Sequence, residues 1–392
     1  MRTEMLPRVL FSGMEWFPVC RDGGLNRYFY ESIEALAEVG VKGAALVSYA
    51  EPSKVGEIAI RGMAAKGAPL WRRWWGGRTL ASETFKHGVD VANAHFALYT
   101  LPWLRDLPTD VALVSHFHGP WSGEMRAEAV TVQDRIAARA AHWLERAGYL
   151  RSDRIVTLSA AFRDLLHGAY GVPLGKIRVV PGGVDLTRYL AAPEKAAARG
   201  KMGWPQDRRI LLSIRRLVRR MGLDLLVDAV AEVRREYPDV LLLIGGKGAE
   251  EHRLKAQIDE LGLAEHVRLL GFVPESDLPI AYAAADVSVV PTVALEGFGL
   301  ITVESLAAGT PVLGTAVGGT SEILQPFRPE LLFADATAGA MAEKLRAVLR
   351  GSVTLPDRAA CRAHAQRYGW PAVVPQLMAV FQEAIGERRR RS

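Results

Sequence analysis

Short runs rich in Val, Ile and Leu alternate with helix-patterned stretches along most of the chain, and this rhythm confines the fold more than any other feature. Consecutive parallel strands need a crossover of a dozen or more residues, which a helix supplies. The runs of the first half are RVLFSG, KGAALVSY, DVANAHF, VALVSHF, RIVTLS and KIRVVPGG. Those of the second half are RILLSIRR, VLLLIGG, HVRLLGF, DVSVVPT and PVLGTAV. Their nearly continuous apolar character marks strands covered on both faces. Between them, Leu25 to Val39 repeats Leu25, Phe29, Ile33 and Leu36 at helical spacing until Gly40 stops it. Leu223 to Tyr237 does the same with Leu226, Ala229, Val230 and Val233. The expectation is an α/β chain of two doubly wound domains. A cleft is expected between them at the carboxyl ends of the strands, where ligands bind in such folds.

The length of 392 residues suits two cores rather than one. The strand sets are separated by DLTRYLAAPEKAAARGKMGWPQD, which is Ala-rich and poor in strand character, so the boundary is placed near Asp185 to Ala192. The predicted units are 1–188 and 189–370, followed by a C-terminal helix over 371–392 that packs back on the first domain and ends in a basic tail. The two cysteines, Cys20 and Cys361, lack metal-ligand spacing, which predicts a reducing, cytoplasmic setting rather than a disulfide framework. No apolar leader precedes the first strand, and no stretch reaches the roughly 18 apolar residues that cross a bilayer. The net charge of +6 favours anionic partners such as phosphates or acidic lipid. Nucleic acid is not expected, because no reading element accompanies the charge.

Residues 291–324, PTVALEGFGLITVESLAAGTPVLGTAVGGTSEIL, carry the clearest chemistry. A strand ends at Pro291, a glycine-flanked loop follows, and a helix is predicted from about Leu300 to Ala308, stopped by Gly309 and Pro311. Gly297 and Gly299 allow close approach of backbone to a ligand. The amides and dipole of the helix start make an anion site suited to a diphosphate. Glu296 in the loop and Glu304 in the helix bracket that start, and a carboxylate accepts two bonds at once from adjacent hydroxyls.

The segment EGFGLITVESLAAGTPV resembles the Glu-x7-Glu region of retaining glycosyltransferases of GT-B fold, in the large family that includes sucrose synthases and bacterial mannosyltransferases. The resemblance continues through PGGVD at 181–185, RRLVRRMGLDLLVDA at 215–229 and HVRLLGFVPESDLPIAYAAADVSVVP at 266–291. It implies two Rossmann-like domains, the first on the acceptor side and the second binding a nucleotide sugar. It further implies that Glu304 grips the ribose, Glu296 contacts the donor sugar, and Val273 offers main-chain groups to the base. The backbone of Gly297, Phe298, Gly299 and Leu300 would hold phosphate, and Arg216 would stabilise the leaving diphosphate. In the resembling enzymes a lysine follows this arginine by five residues, whereas Met221 stands here. Arg219 or Arg220 is the expected substitute. GGKG at 245–248 imitates a dinucleotide fingerprint, but Glu251 occupies the place of its third glycine.

In the first domain, SGMEWFPVCRDGGLNRYFY places a second helix opening at Gly23-Gly24, and the resemblance makes Gly24 a donor-phosphate contact and Arg27 an acceptor-side candidate. A tight turn with a surface arginine explains the same residues. His118 ends a buried strand before Gly119-Pro120 and matches the family's histidine beside the reacting sugar. His116 and His95 are the other strand-end candidates. WRRWW at 71–75 interleaves aromatics with arginines. It can dock on an anionic lipid surface or stack on an acceptor, and it can equally form a buried aromatic cluster with snorkelling arginines.

The implied activity is a retaining, metal-independent transfer of a hexose from a nucleotide diphosphate sugar, UDP- or GDP-linked, to a small-molecule, saccharide or lipid-linked acceptor, with no cofactor beyond that co-substrate. No Asp-x-Asp stands in the chain to hold a bridging metal. A peripheral contact with the inner face of a membrane fits the basic aromatic run. The competing reading is a catalytically weak nucleotide-sugar sensor or scaffold of the same fold, to which Met221 points. A dinucleotide-dependent oxidoreductase would need a Gly-x-Gly-x-x-Gly turn that the first strand lacks.

Overall fold

A computed structural model describes residues 6–20, 23–128 and 131–391. The chain divides into two compact units, with the divisions falling between Gly183 and Val184 and between Gly369 and Trp370.

The strands of the first unit are β1 (Arg8–Ser12), β2 (Lys42–Val47), β3 (Ser53–Val55), β4 (Ile58–Gly62), β5 (Val91–Ala94), β6 (Ala112–Phe117), β7 (Arg154–Thr157) and β8 (Ile177–Val179). They form one sheet in the order β3-β4-β2-β1-β5-β6-β7-β8. All neighbours are parallel except β3 and β4. Strands β5, β6 and β7 are buried along their whole length, which is why their sequences run apolar rather than alternating. Strand order reverses between β1 and β5, so the carboxyl ends of these two strands open side by side. The Gly24–Glu38 helix follows β1, starting one residue before the predicted Leu25. The C-terminal Trp370–Arg391 helix belongs to this unit, burying Val373, Leu377, Phe381 and Ala384. It is also held by charge. Arg154 and Arg178 both engage Glu383, Arg154 at 2.9 Å and Arg178 through Nε at 2.8 Å. Hydrogen bonds from Arg178 and then Arg154 hold that carboxyl down at about 2.

The second unit has β9 (Arg209–Ile214), β10 (Val240–Gly245), β11 (Val267–Gly271), β12 (Val287–Val290) and β13 (Val312–Gly314). They are ordered β11-β10-β9-β12-β13 and parallel throughout. Here the order reverses between β9 and β12, and their carboxyl ends release the segments 215–222 and 291–299 next to each other. The Ala-rich stretch at 185–207 is helical inside this unit, as Leu186–Leu190 and Lys195–Met202. The predicted Leu223–Tyr237 helix ends earlier, at Val233. The GGKG stretch has a packing role. A Cβ on Gly246 would lie 1.9 Å from the Arg215 carbonyl oxygen, so this turn must be bare for the chain leaving β9 to pass.

Candidate active site

In the second unit the site is built where β9 and β12 end. Leaving β12, the chain forms the 291–299 loop, in which Leu295 adopts a positive φ of 56° and Gly299 one of 90°. The loop is packed backbone to backbone: Cβ atoms on Gly222, Gly318 and Gly319 would fall 2.1, 2.0 and 2.2 Å from the carbonyl oxygens of Pro291, Glu296 and Phe298. The Leu300–Ala308 helix then starts with Gly299 as its N-cap and no side-chain cap. Its first amides therefore have geometry for an incoming anion. Phe298 is buried with its ring 5.6 Å from that of Tyr368, fixing the approach to the helix. Leu300 opens the helix and Gly297 lies in the loop before it.

The two glutamates differ in setting. Glu296 sits in the loop, and its Oε2 accepts both from Thr292 Oγ1 at 2.7 Å and from Arg215 Nη2 at 2.8 Å. Glu304 lies within the helix at 1% exposure, with the Tyr282 hydroxyl donating to it at 3.3 Å. Neither is a solvated helix residue.

The four arginines at 215, 216, 219 and 220 differ in setting. Arg216 leaves β9 on the exposed side, whereas Arg215 turns inward and is buried. The Arg215 guanidinium lies against the Met221 sulfur and pairs with Glu296, while its Nε and Nη1 are buried with no partner among the described residues. Arg220 donates to the Leu295 carbonyl at 2.8 Å and so braces the loop, and Arg219 is exposed. The buried guanidinium against Met221 is that of Arg215. Sequence reasoning passed over Arg215 because it read the pair at 215–216 through its second member. Val273 follows β11, where its side chain fills the space above Gly245.

In the first unit, Gly24 opens its helix behind Gly23, which has a φ of 82°. Arg27 is buried and pairs with Glu31 at 3.7 Å, which corrects the reading of a surface arginine. The three candidate histidines come together. Register pairs Ala94 of β5 with Ser115 of β6, so His95 and His116 fall side by side, and His118 follows two residues on. The His95 and His116 rings stack at 3.9 Å and 15°, and His118 Nε2 lies 3.2 Å from His95 Nδ1. Tyr28 and Phe29 close around them, with Tyr28 edge-on to His118 at 5.2 Å. Burial drives all three imidazoles toward the neutral form, taking His118 down to about 3 and the other two well below the ordinary 6.5. Neither ring nitrogen of His116 has a partner among the described residues. The ring nitrogens of the trio lie within 4.8 Å of one another. An imidazole ligates a metal in its own plane, however, so His95 and His116 stacked face to face do not aim at one ion.

Trp71 and Trp75 lie on the Leu70–Phe85 helix at 65% and 74% exposure, which overturns the buried-cluster reading of WRRWW. Of the three tryptophans in this run, Trp74 is the one that packs against the core.

Residues 194–368 match the family described as glycosyl transferases group 1, and residues 22–188 match glycosyltransferase family 4. D-inositol 3-phosphate glycosyltransferase 1 of Catenulispora acidiphila is 30% identical over 393 residues, covering 94% of this chain and 93% of its own. The chain belongs to the group 1 glycosyltransferases. As such it is an enzyme that transfers a sugar, with GT-B architecture. Sucrose-phosphate synthase from Thermosynechococcus elongatus superimposes with a TM-score of 0.76 at 23% identity, covering 97% of this chain and 100% of that one. Anabaena HepE in complex with UDP-glucose gives 0.74 at 19% identity, covering 96% and 100%. Within this glycosyltransferase, the residues gathered at both topological switch points are the candidates for its chemistry. Among the described residues no helix is long and apolar enough to cross a membrane.

Proposed function

We propose that this glycosyltransferase moves a hexose from a UDP- or GDP-linked donor to a hydroxyl of a small-molecule, saccharide or lipid-linked acceptor, with retention of configuration and without a metal ion. The observation that carries the reading is the opening of the Leu300–Ala308 helix, which is uncapped, backed by bare glycines, and flanked by an anchored Glu296 and a buried Glu304. The diphosphate takes the amides of Gly297 to Leu300, Glu304 accepts from the ribose hydroxyls, and Glu296 accepts from the hexose. Val273 meets the base through its backbone, and Gly24 is assigned to donor phosphate. Arg216 neutralises the departing diphosphate, and Arg215 supplies the second cation of the site where Met221 cannot. The sugar–phosphate bond loosens first and positive charge spreads onto the ring; the acceptor oxygen then bonds to the anomeric carbon from the same face, and its proton passes to the departing diphosphate oxygen. His118 is assigned to a hydroxyl of the hexose and Arg27 to the acceptor side, with the buried His95 and His116 packed against His118. HepE of the same fold was solved with UDP-glucose, which supports this donor class. The Catenulispora relative is named for D-inositol 3-phosphate, which makes a phosphorylated cyclitol the first acceptor to assay.

A peripheral contact with anionic lipid is part of the same proposal. The guanidinium of Arg72 lies 5.1 Å over the Trp71 ring, and that of Arg146 lies 5.8 Å over Trp143. Val132, Ile136 and Trp143 form an exposed stripe on the Val132–Arg151 helix. Apolar anchors rimmed by arginines fit an acidic lipid surface.

The deciding experiment is a stability screen against UDP, GDP, ADP and their hexose conjugates in chelator. A true donor at a hundred times its dissociation constant adds about 2.7 kcal/mol. Arg216→Ala should fold but lose about 2.7–4 kcal/mol of transition-state stabilisation. If no nucleoside diphosphate stabilises the protein, the donor assignment fails. Wild-type turnover in Arg216→Ala removes that arginine from the mechanism.

A further inference from the structure

The hydrogen bonds around the histidine trio run in one direction, and that direction is fixed at its far end. Asn93 in β5 is buried, and its side-chain amide donates to the Val114 carbonyl of β6 at 3.2 Å. The amide nitrogen is therefore turned toward β6, and the Asn93 Oδ1 faces His95 Nε2 at 2.8 Å. An amide oxygen only accepts, so His95 must carry its proton on Nε2. A neutral imidazole has one N–H, which leaves His95 Nδ1 as a bare lone pair. That lone pair lies 3.2 Å from His118 Nε2, so His118 must donate to it. By the same count, the proton of His118 is on Nε2 and its Nδ1 is an acceptor. Stacking of His116 on one face of His95 and the edge contact of Phe29 at 4.8 Å hold the middle ring in plane.

We propose that Asn93 and His95 are positioning residues that lock His118 in its neutral Nε2–H form, so that His118 Nδ1 is a fixed hydrogen-bond acceptor for a hydroxyl of the donor hexose. The acceptor role rests on the function proposed above, whereas the tautomer lock does not. A neutral acceptor suits a sugar whose ring gains positive charge, because an imidazolium at the same place would oppose that charge. The lock also excludes the alternative tautomer, in which Nδ1 carries the proton and could not accept from a hydroxyl.

The test is long-range 15N–1H correlation spectroscopy of histidine-labelled, full-length enzyme at pH 7.5, with His118 assigned by the signals lost in His118→Gln. The wild type should show His118 with a protonated Nε2 and an unprotonated Nδ1. His95→Phe keeps the stack but breaks the chain of bonds, and Asn93→Leu removes the terminal acceptor. Each should convert His118 to a mixture of tautomers and lower kcat about tenfold with donor KM little changed. A wild-type His118 protonated on Nδ1, or charged, overturns the lock, as does an unchanged His118 in His95→Phe. If either variant does not fold, the wild-type spectrum still decides. Titration with UDP-glucose and GDP-mannose then reads the second clause. A shift of His118 Nδ1 on binding supports the acceptor role, and binding by calorimetry without that shift overturns it. Absence of binding by every nucleotide sugar overturns the donor reading, with the tautomer result standing on its own.

Discussion

Arg215 and Glu296 form a buried ion pair in the second unit, and breaking it one side at a time should be costly. The Arg215 side chain is 4% exposed, that of Glu296 is 13% exposed, and their closest atoms are 2.8 Å apart. Glu296→Gln leaves a buried guanidinium whose Nε and Nη1 already lack partners among the described residues, and removing one side of such a pair costs about 3–5 kcal/mol. Arg215→Met should cost less, about 1–3 kcal/mol, because Glu296 keeps its bond from Thr292 and is nearer to water. The double variant removes both charges together, so it should recover stability relative to the sum, with a coupling of about 2 kcal/mol. Trp204 is the one tryptophan between Val184 and Gly369, so urea unfolding followed by its 19F resonance after 5-fluorotryptophan labelling reports this unit alone. Additivity of the two substitutions within about 0.5 kcal/mol would refute the pairing as an energetic unit.

The buried neutral histidines predict acid sensitivity in the first unit. Unfolded histidine titrates near 6.5 while His118 titrates near 3, so the unfolded chain takes up protons first and stability falls as pH drops through that window. A urea midpoint that is flat between pH 7 and 5 would contradict this, and His116→Phe should reduce the slope. Gly318→Ala places a Cβ against the Glu296 carbonyl at a φ of 54°, so it should cost about 1–3 kcal/mol and weaken nucleotide binding by calorimetry. Unchanged affinity would mean that the 291–299 loop is not part of the donor site. The Trp71→Ser/Trp75→Ser pair should release the protein from phosphatidylglycerol vesicles in co-sedimentation, with wild-type binding weakened by salt. Binding that ignores both the substitutions and the salt would dismiss this surface.

Much of the fold was legible because parallel strands buried on both faces are written as local apolar runs, and eleven of them were read from composition and spacing. The β3–β4 hairpin was not read, since Lys54, Gly56 and Glu57 give it the polar character of a short edge. The Glu296–Gly299 loop and the Leu300–Ala308 helix were legible for a similar reason, because glycine and a following apolar helix are adjacent in the chain. What sequence alone determined is therefore the set of elements and the chemistry carried within a single turn or loop.

Tertiary structure alone decided which of two neighbouring arginines turns inward. Side-chain direction at the end of β9 depends on how the chain bends past Gly246 and Gly248, which is set by a different strand. It also decided that His95, His116 and His118 act as a group. His95 lies more than twenty positions from His116 and His118, and only the parallel register of β5 on β6 brings its ring into stacking distance of theirs. Local pattern encodes periodicity, but proton direction along a chain of imidazoles depends on distances between strands, and these exist only once the sheet has formed.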